Sequence, residues 1–207
     1  MSGIILHETF DASGLGPEWT WLNEPSIWRI DPVRSCLCIE TADSADFWQR
    51  THYGFQADSG HFLGAALDGD FDIETTVRFH PRHQYDQAGL MIRYDADFWI
   101  KMSVEFEPEG PCYLGAVVTN FGFSDWSMQE FPAETREIVL QLRKRSADYE
   151  GYFRAPPEKR WRLLRIAHMH NIGAFPSRGG IYACSPKASG FVAEFEYLRV
   201  TRPQESS

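Results

Sequence analysis

Residues 97–107, DFWIKMSVEFE, set an indole (Trp99), an ammonium (Lys101) and a carboxylate (Glu105) at alternate positions, with Ser103 and Glu107 between and beyond them. Phe98, Ile100, Met102, Val104 and Phe106 occupy the intervening positions. Side chains of an extended strand alternate between its faces, so one face feeds a core and the other carries the chemistry. An indole beside a cation and an anion suits a polar ligand with a flat apolar side. The ring stacks, while Lys101 and Glu105 donate and accept hydrogen bonds. The same residues on a solvated sheet would form only a diagonal Lys–Glu contact and an Arg93–Trp99 cation–π pair, together worth about 1 kcal/mol.

Neighbouring strands decide between these readings. A hairpin of 87–94 with 98–106, closed by Asp95-Ala96-Asp97, sends Leu90, Ile92, Ile100 and Met102 to one face. After the turn EPEGP (107–111), a third strand adds Cys112, Leu114, Ala116 and Val118 to that face. The opposite face then reads in rows: Arg93, Trp99, Thr119; Met91, Lys101, Val117; Gly89, Ser103, Gly115; Gln87, Glu105, Tyr113. The third row is almost bare of side chains, which predicts a shallow channel of exposed backbone between Lys101 and Glu105. Lys101 is expected to lower the pKa of Glu105, and Glu105 to orient Lys101. The stretch TNFGFSDWS (119–127) reads as a recognition loop at the Trp99 end, bringing Asp125 and Trp126. In this reading Trp99 and Trp126 stack on the ligand, and Arg93, Lys101 and Asp125 hydrogen-bond to it.

Other chemistries find weaker support. Glycoside hydrolysis needs two carboxyls about 5–9.5 Å apart. DFDIE offers Asp70, Asp72 and Glu74, and Glu105 with Glu107 forms the better-placed second set, so Glu105 is the catalytic candidate if the protein is an enzyme. His168 and His170 share a strand face, but no acidic ligand follows them in NIGAFP, and no metal site is expected. Cys36, Cys38, Cys112 and Cys184 form neither a CxxC nor a zinc knuckle and read as buried reduced thiols. No cofactor fingerprint is present: SRGG (177–180) is too short to cradle phosphate.

The positioning elements are strands throughout. Alternating patterns at 36–40, 47–53, 71–79, 89–94, 98–106, 112–119, 137–145, 147–154, 161–169, 172–175, 180–184 and 191–201 are separated by Gly, Pro, Asn and Asp, with one weak helical turn near 132–136. Such a chain makes an all-β antiparallel sandwich or jelly roll, here one domain over 1–202 with a tail at 203–207. IILHETFD (4–11) and FVAEFEYLRVT (191–201) are expected side by side. The 207 residues carry a net charge of −9, which excludes a nucleic-acid partner. RKRS (143–146) reads as a hairpin tip. Neither a signal peptide nor a membrane span is visible, so the expected compartment is the cytoplasm. Seven Trp and 14% aromatics exceed what a plain core requires, unless large side chains simply fill a broad interlayer gap.

YDQAGLMIRYDADFWIKMSVEFE, followed by GAVVTNFGFSDWS and preceded by DFWQRTHYGFQADSGHFL, resembles the family of unknown function DUF1349, and with the closing FVAEFEYLRV the likeness covers nearly the whole chain. The resemblance implies a concanavalin A-like sandwich of two antiparallel sheets, with a concave face of the kind lectins and glucanases use for sugars. It carries Trp48, Arg50, Thr51 and His52, together with Trp99, Lys101, Glu105, Asp125 and Trp126, onto the family pattern. The resulting expectation is a non-enzymatic binder of a carbohydrate or small polar metabolite. Through a yeast member linked to metabolic regulation, docking to a metabolic enzyme is the alternative.

Overall fold

A computed structural model describes residues 3–170 and 176–203. The strands run β1 (Ile4–Glu8), β2 (Thr20–Leu22), β3 (Ile27–Asp31), β4 (Cys36–Glu40), β5 (Phe47–Gln49), β6 (Gln56–Asp58), β7 (His61–Leu67), β8 (Phe71–His80) and β9 (Gln87–Arg93). They continue as β10 (Trp99–Glu105), β11 (Cys112–Asn120), β12 (Phe123–Phe131), β13 (Glu137–Arg145), β14 (Asp148–Arg154), β15 (Arg162–His168), β16 (Ser177–Cys184) and β17 (Val192–Thr201). One sheet is ordered β15-β14-β13-β8-β17-β4-β3 with β1 added on β17, the other β12-β11-β10-β9-β16-β7-β2, and β5-β6 form a separate hairpin. All pairings are antiparallel, and the architecture is the expected concanavalin A-like two-sheet sandwich.

Period-two alternation builds the core. Phe71, Ile73, Val77 and Phe79 of β8 face Leu90, Ile92, Ile100, Met102, Leu114 and Ala116 of the second sheet, all buried. The register is the one the hydrophobic phase predicts: Trp99 lies opposite Arg93 and Thr119, Lys101 opposite Met91 and Val117, Ser103 opposite Gly89 and Gly115, and Glu105 opposite Gln87 and Tyr113. β1 pairs with β17, and the four cysteines are free and buried.

Several expectations are corrected. The strand expected at 47–53 stops at Gln49, because Arg50 and His52 take left-handed φ of 52° and 61° that cannot continue a ladder. The stretch 119–127 is not a loop: Phe121 (φ 53°) and Gly122 (φ 71°) make a two-residue turn between β11 and β12. The helical turn near 132–136 is a tight turn closed by Thr135 N donating to Pro132 O at 3.0 Å. β2, β3, β6, β7 and β12 carry no strand expectation. The strand expected at 172–175 and the end of the expected tail, 204–207, lie outside the described residues.

The outer face of the seven-stranded sheet is not bare. Residues 41–60, between β4 and β7, fold over it and enclose a second apolar cluster of Phe47, Trp48, Phe62, Met91, Trp99, Val117, Tyr182 and Cys184. Within the sheet itself Gly89 has no room for a side chain: a Cβ there would overlap the Met102 carbonyl oxygen of β10 and crowd Leu140 of the facing sheet. Gly89→Ala is therefore expected to lose about 3 kcal/mol in urea denaturation, or to fail to fold, whereas Gly14→Ala, with nothing within 4 Å, leaves the midpoint within error.

Candidate functional site

Where the 41–60 segment meets β10 and β12 it leaves a cleft of about 450 Å³. Trp48, Tyr53, Phe55 and Trp126 form an aromatic side. Lys101, Glu105, Gln87 and Asp46 supply the polar groups, and Tyr85, Pro186 and Lys187 also line it. A niche of about 10 Å³, room for one water, opens among Ser103, Gly115, Tyr113, Tyr182 and Trp126, with Glu105 and Gln87.

The aromatic wall follows from local geometry. Arg50, His52 and Gly54 all have positive φ, and Gly54 N donates to Arg50 O at 3.0 Å, so the chain curls tightly and throws Tyr53 and Phe55 outward. These two rings are 56% and 47% exposed, and they stand 5.5 and 6.4 Å from Trp48. Trp126 meets Trp48 edge-on at 6.5 Å. Backbone in this strained region is retained where surrounding contacts over-determine it, commonly at binding rims. Here Arg50 Nη1 donates to Gly122 O at 2.9 Å and Gln49 N to Ser124 Oγ at 3.0 Å, fastening the curl to β12 and its turn.

Lys101 is buried, with 3% exposure, and its ammonium donates to Phe47 O at 2.8 Å and Asp46 Oδ1 at 3.4 Å. It also lies 5.5 Å from the centre of the Tyr182 ring. Gln87 connects two groups: Tyr182 OH donates to its Oε1 at 3.1 Å, which turns its Nε2 to donate to Glu105 Oε2 at 2.9 Å. Burial pushes the Glu105 carboxyl up to about 7, against the opposing influence of Lys101 and with Asp46 and Glu107 adding to the rise. Lys101 does exert the expected lowering, but burial outweighs it, and the ammonium makes its hydrogen bonds to Asp46 and Phe47 rather than to Glu105.

Of the residues singled out in the sequence, Trp48, Lys101, Glu105 and Trp126 converge on the cleft. Trp99 does not stack on anything in it: the ring is fully buried beside Phe47, with Nε1 donating to Ala96 O at 3.1 Å. Arg93 is buried as well, bonded to Asp58 Oδ2 at 2.8 Å and set over Phe47 rather than Trp99. Asp125 pairs across β12 with Val118, a core-facing position, so it points away from the cleft and meets Arg165 at 2.7 Å. Arg50 and His52 build the rim without lining the cleft. The bare channel is also corrected: Tyr182 stands opposite Gly89, and the Trp126 indole nitrogen lies 3.0 Å from where a Gly115 Cβ would be, so rings occupy the row and leave only the niche.

Asp46, Tyr53, Phe55, Tyr85 and Lys187 escaped sequence reasoning. Only the aromatic pair around glycine in HYGFQ offered a signal. Asp72 is spent on Arg145 at 2.7 Å, and Glu74 accepts from Tyr197, Arg199 and Gln141, all on the other sheet. Glu107 accepts from Gln84. His168 binds Asp148 at 2.6 Å, and among the described residues no group of three metal-ligating side chains gathers.

Fold and site together define an all-β sandwich with an aromatic-walled cleft outside its core. A family model described as "Protein of unknown function (DUF1349)" matches residues 21–203, and the chain belongs to that family. It is 33% identical over 191 residues, 89% of each chain, to "Regulation of enolase protein 1" of Saccharomyces cerevisiae (strain ATCC 204508 / S288c). A crystal structure of a functionally unknown protein from Saccharomyces cerevisiae superposes with a TM-score of 0.82 at 31% identity, covering 90% of this chain and 97% of that one. A xylan beta-1,4-xylosidase from Bacillus halodurans C-125 shares the fold at 18% identity and a TM-score of 0.75, over 95% of this chain and 39% of the enzyme.

Two consequences are measurable. Lys101→Met leaves Asp46 and the Phe47 carbonyl without their cation and should cost about 3 kcal/mol, with faster proteolysis within residues 50–55. Glu105 has a folded-state pKa above its unfolded value, so the folded state penalises its carboxylate and stability falls as pH rises from about 4.5 to 7. Glu105→Gln is accordingly expected to raise stability by ~2 kcal/mol at pH 8 and by nearly nothing at pH 4, in denaturant titrations at both values.

Proposed function

We propose that this protein is a cytoplasmic, non-enzymatic binder of a carbohydrate or similar polar metabolite, with a regulatory role in carbohydrate metabolism. The observation that carries the reading is the cleft itself: rings of Trp48, Tyr53, Phe55 and Trp126 stand with Glu105, Gln87, Lys101 and Asp46 in one 450 Å³ space. Saccharides present apolar C–H faces bordered by hydroxyls, and that combination demands ring faces with donors and acceptors beside them. The name of the yeast relative, regulation of enolase, supports the metabolic setting. Four free, buried thiols accord with a reducing compartment, and among the described residues no helix is long and apolar enough to cross a membrane.

The exposed Tyr53 and Phe55 favour a second reading, in which the same rim docks on a metabolic enzyme. Titration of tryptophan fluorescence against xylobiose, cellobiose, maltose, glucose 6-phosphate and fructose 6-phosphate separates the two. A saturable change that Trp126→Ala weakens about tenfold, while Trp28→Phe leaves it intact, is the expected result. Silence across the panel, with a metabolic enzyme retained on immobilised wild type but not on Tyr53→Ala, would favour docking.

A further inference from the structure

Glu105 borders both the cleft and the niche, and Gln87 Nε2 is its hydrogen-bond donor, to Oε2 at 2.9 Å. The cation expected to balance it is spent elsewhere, since Lys101 donates to Phe47 O and Asp46 Oδ1. The other titratable groups around the cleft are Asp46 before β5, Tyr53 on the rim, Tyr85 before β9, Glu107 after β10, Tyr113 on β11, Tyr182 and the buried thiol of Cys184 on β16, and Lys187 after β16. Apart from Lys101 and Lys187 they are anions or weak acids, and Lys187 has its ammonium 5.4 Å from the centre of the Tyr85 ring at the rim. Water in the open cleft is thus the chief solvent of a Glu105 carboxylate.

A neutral ligand that fills the cleft replaces this water with C–H faces and hydroxyls. Removing water from an ionisable group without adding a countercharge favours its neutral form. Building on the saccharide reading above, we propose that Glu105 meets a neutral saccharide as an uncharged carboxylic acid, donating its proton to a ligand oxygen, so that binding draws one proton from solution. Gln87 supports this role: its amide, turned by Tyr182, holds one carboxyl oxygen as acceptor and leaves the other to carry the proton.

The free carboxyl, pushed up to about 7 by burial, sets the pH window. Below that value Glu105 already carries the proton and affinity is constant. Above it, protonation must accompany binding, and each pH unit costs up to about tenfold in affinity. Glutamine at this position presents a neutral donor at every pH.

The experiment titrates xylobiose, cellobiose and maltose into wild type and Glu105→Gln at pH 5.5, 7.0 and 8.5, with calorimetry at pH 8 in phosphate and in Tris to count protons. Expected are a wild-type affinity about tenfold weaker at pH 8.5 than at pH 7.0, a pH-independent Glu105→Gln variant near the acid-side value, and uptake of close to one proton at pH 8. Wild-type affinity that is flat with pH, or rises with it, overturns the proton-linked role and leaves the saccharide site standing. No binding by either protein at pH 5.5 removes the saccharide reading and this inference together.

Discussion

The ammonium of Lys101 is the constraint around which the outer half of this molecule is organised. The hydrophobic phase of β10 sends Ile100 and Met102 into the core, so Lys101 must lie on the sheet's outer face, where neighbouring Trp99, Met91 and Val117 exclude water. A cation in such a place is tolerable only with hydrogen-bonded partners. The Phe47 carbonyl and the Asp46 carboxylate provide them, and both belong to the one segment that covers the sheet. The cover therefore lies where the lysine can reach it, and every other feature of the cleft inherits that position.

Once the cover is fixed at Phe47, the next residues must turn back within a short distance to reach β6. Left-handed backbone at Arg50, His52 and Gly54 achieves this, and the geometry thrusts Tyr53 and Phe55 beyond the sheet. Trp126 completes the wall because the tight turn at Phe121-Gly122 folds β12 back on β11 in a register that puts it in the same row as Val117 and Lys101. The aromatic wall is thus a product of two turns, and the polar floor a product of one strand.

How much of this was legible in the sequence follows from the range of the forces involved. The rows across β9, β10 and β11 could be read because a one-residue slip would expose an entire apolar set, so alternation alone determines register. The same alternation says nothing about what lies over the outer face. The indole of Trp99 reads as a stacking surface for that reason: a strand pattern distinguishes core from not-core, while the segment that buries Trp99 comes from about fifty residues earlier and carries only the three-residue strands Phe47–Gln49 and Gln56–Asp58. Asp125 and Trp126 show the complementary error. A loop beginning at NFGF lets both residues face the ligand; in a strand, alternation permits only one of them, and the partner Val118 shows that Asp125 is the one turned away.

For Glu105 the strand pattern shows the neighbouring cation but not the burial that outweighs it, and the difference bears on what the cleft can do. Spacing along a strand places Lys101 and Glu105 on one face, which suggests mutual neutralisation, but a buried ammonium bonds to the acceptors that satisfy its geometry, and here those come from the cover. The carboxyl is left with an amide for a partner and with burial as the dominant influence on its proton. In a chain with net charge −9, the floor of the cleft therefore contains one satisfied ion pair and one acid poised between its two states near neutrality. With Lys101 committed to Asp46 and Phe47, the floor presents no uncommitted ammonium to an anionic ligand. It selects at contact, by ring faces and individual hydrogen bonds, which is how a neutral polyhydroxylated molecule is distinguished from water.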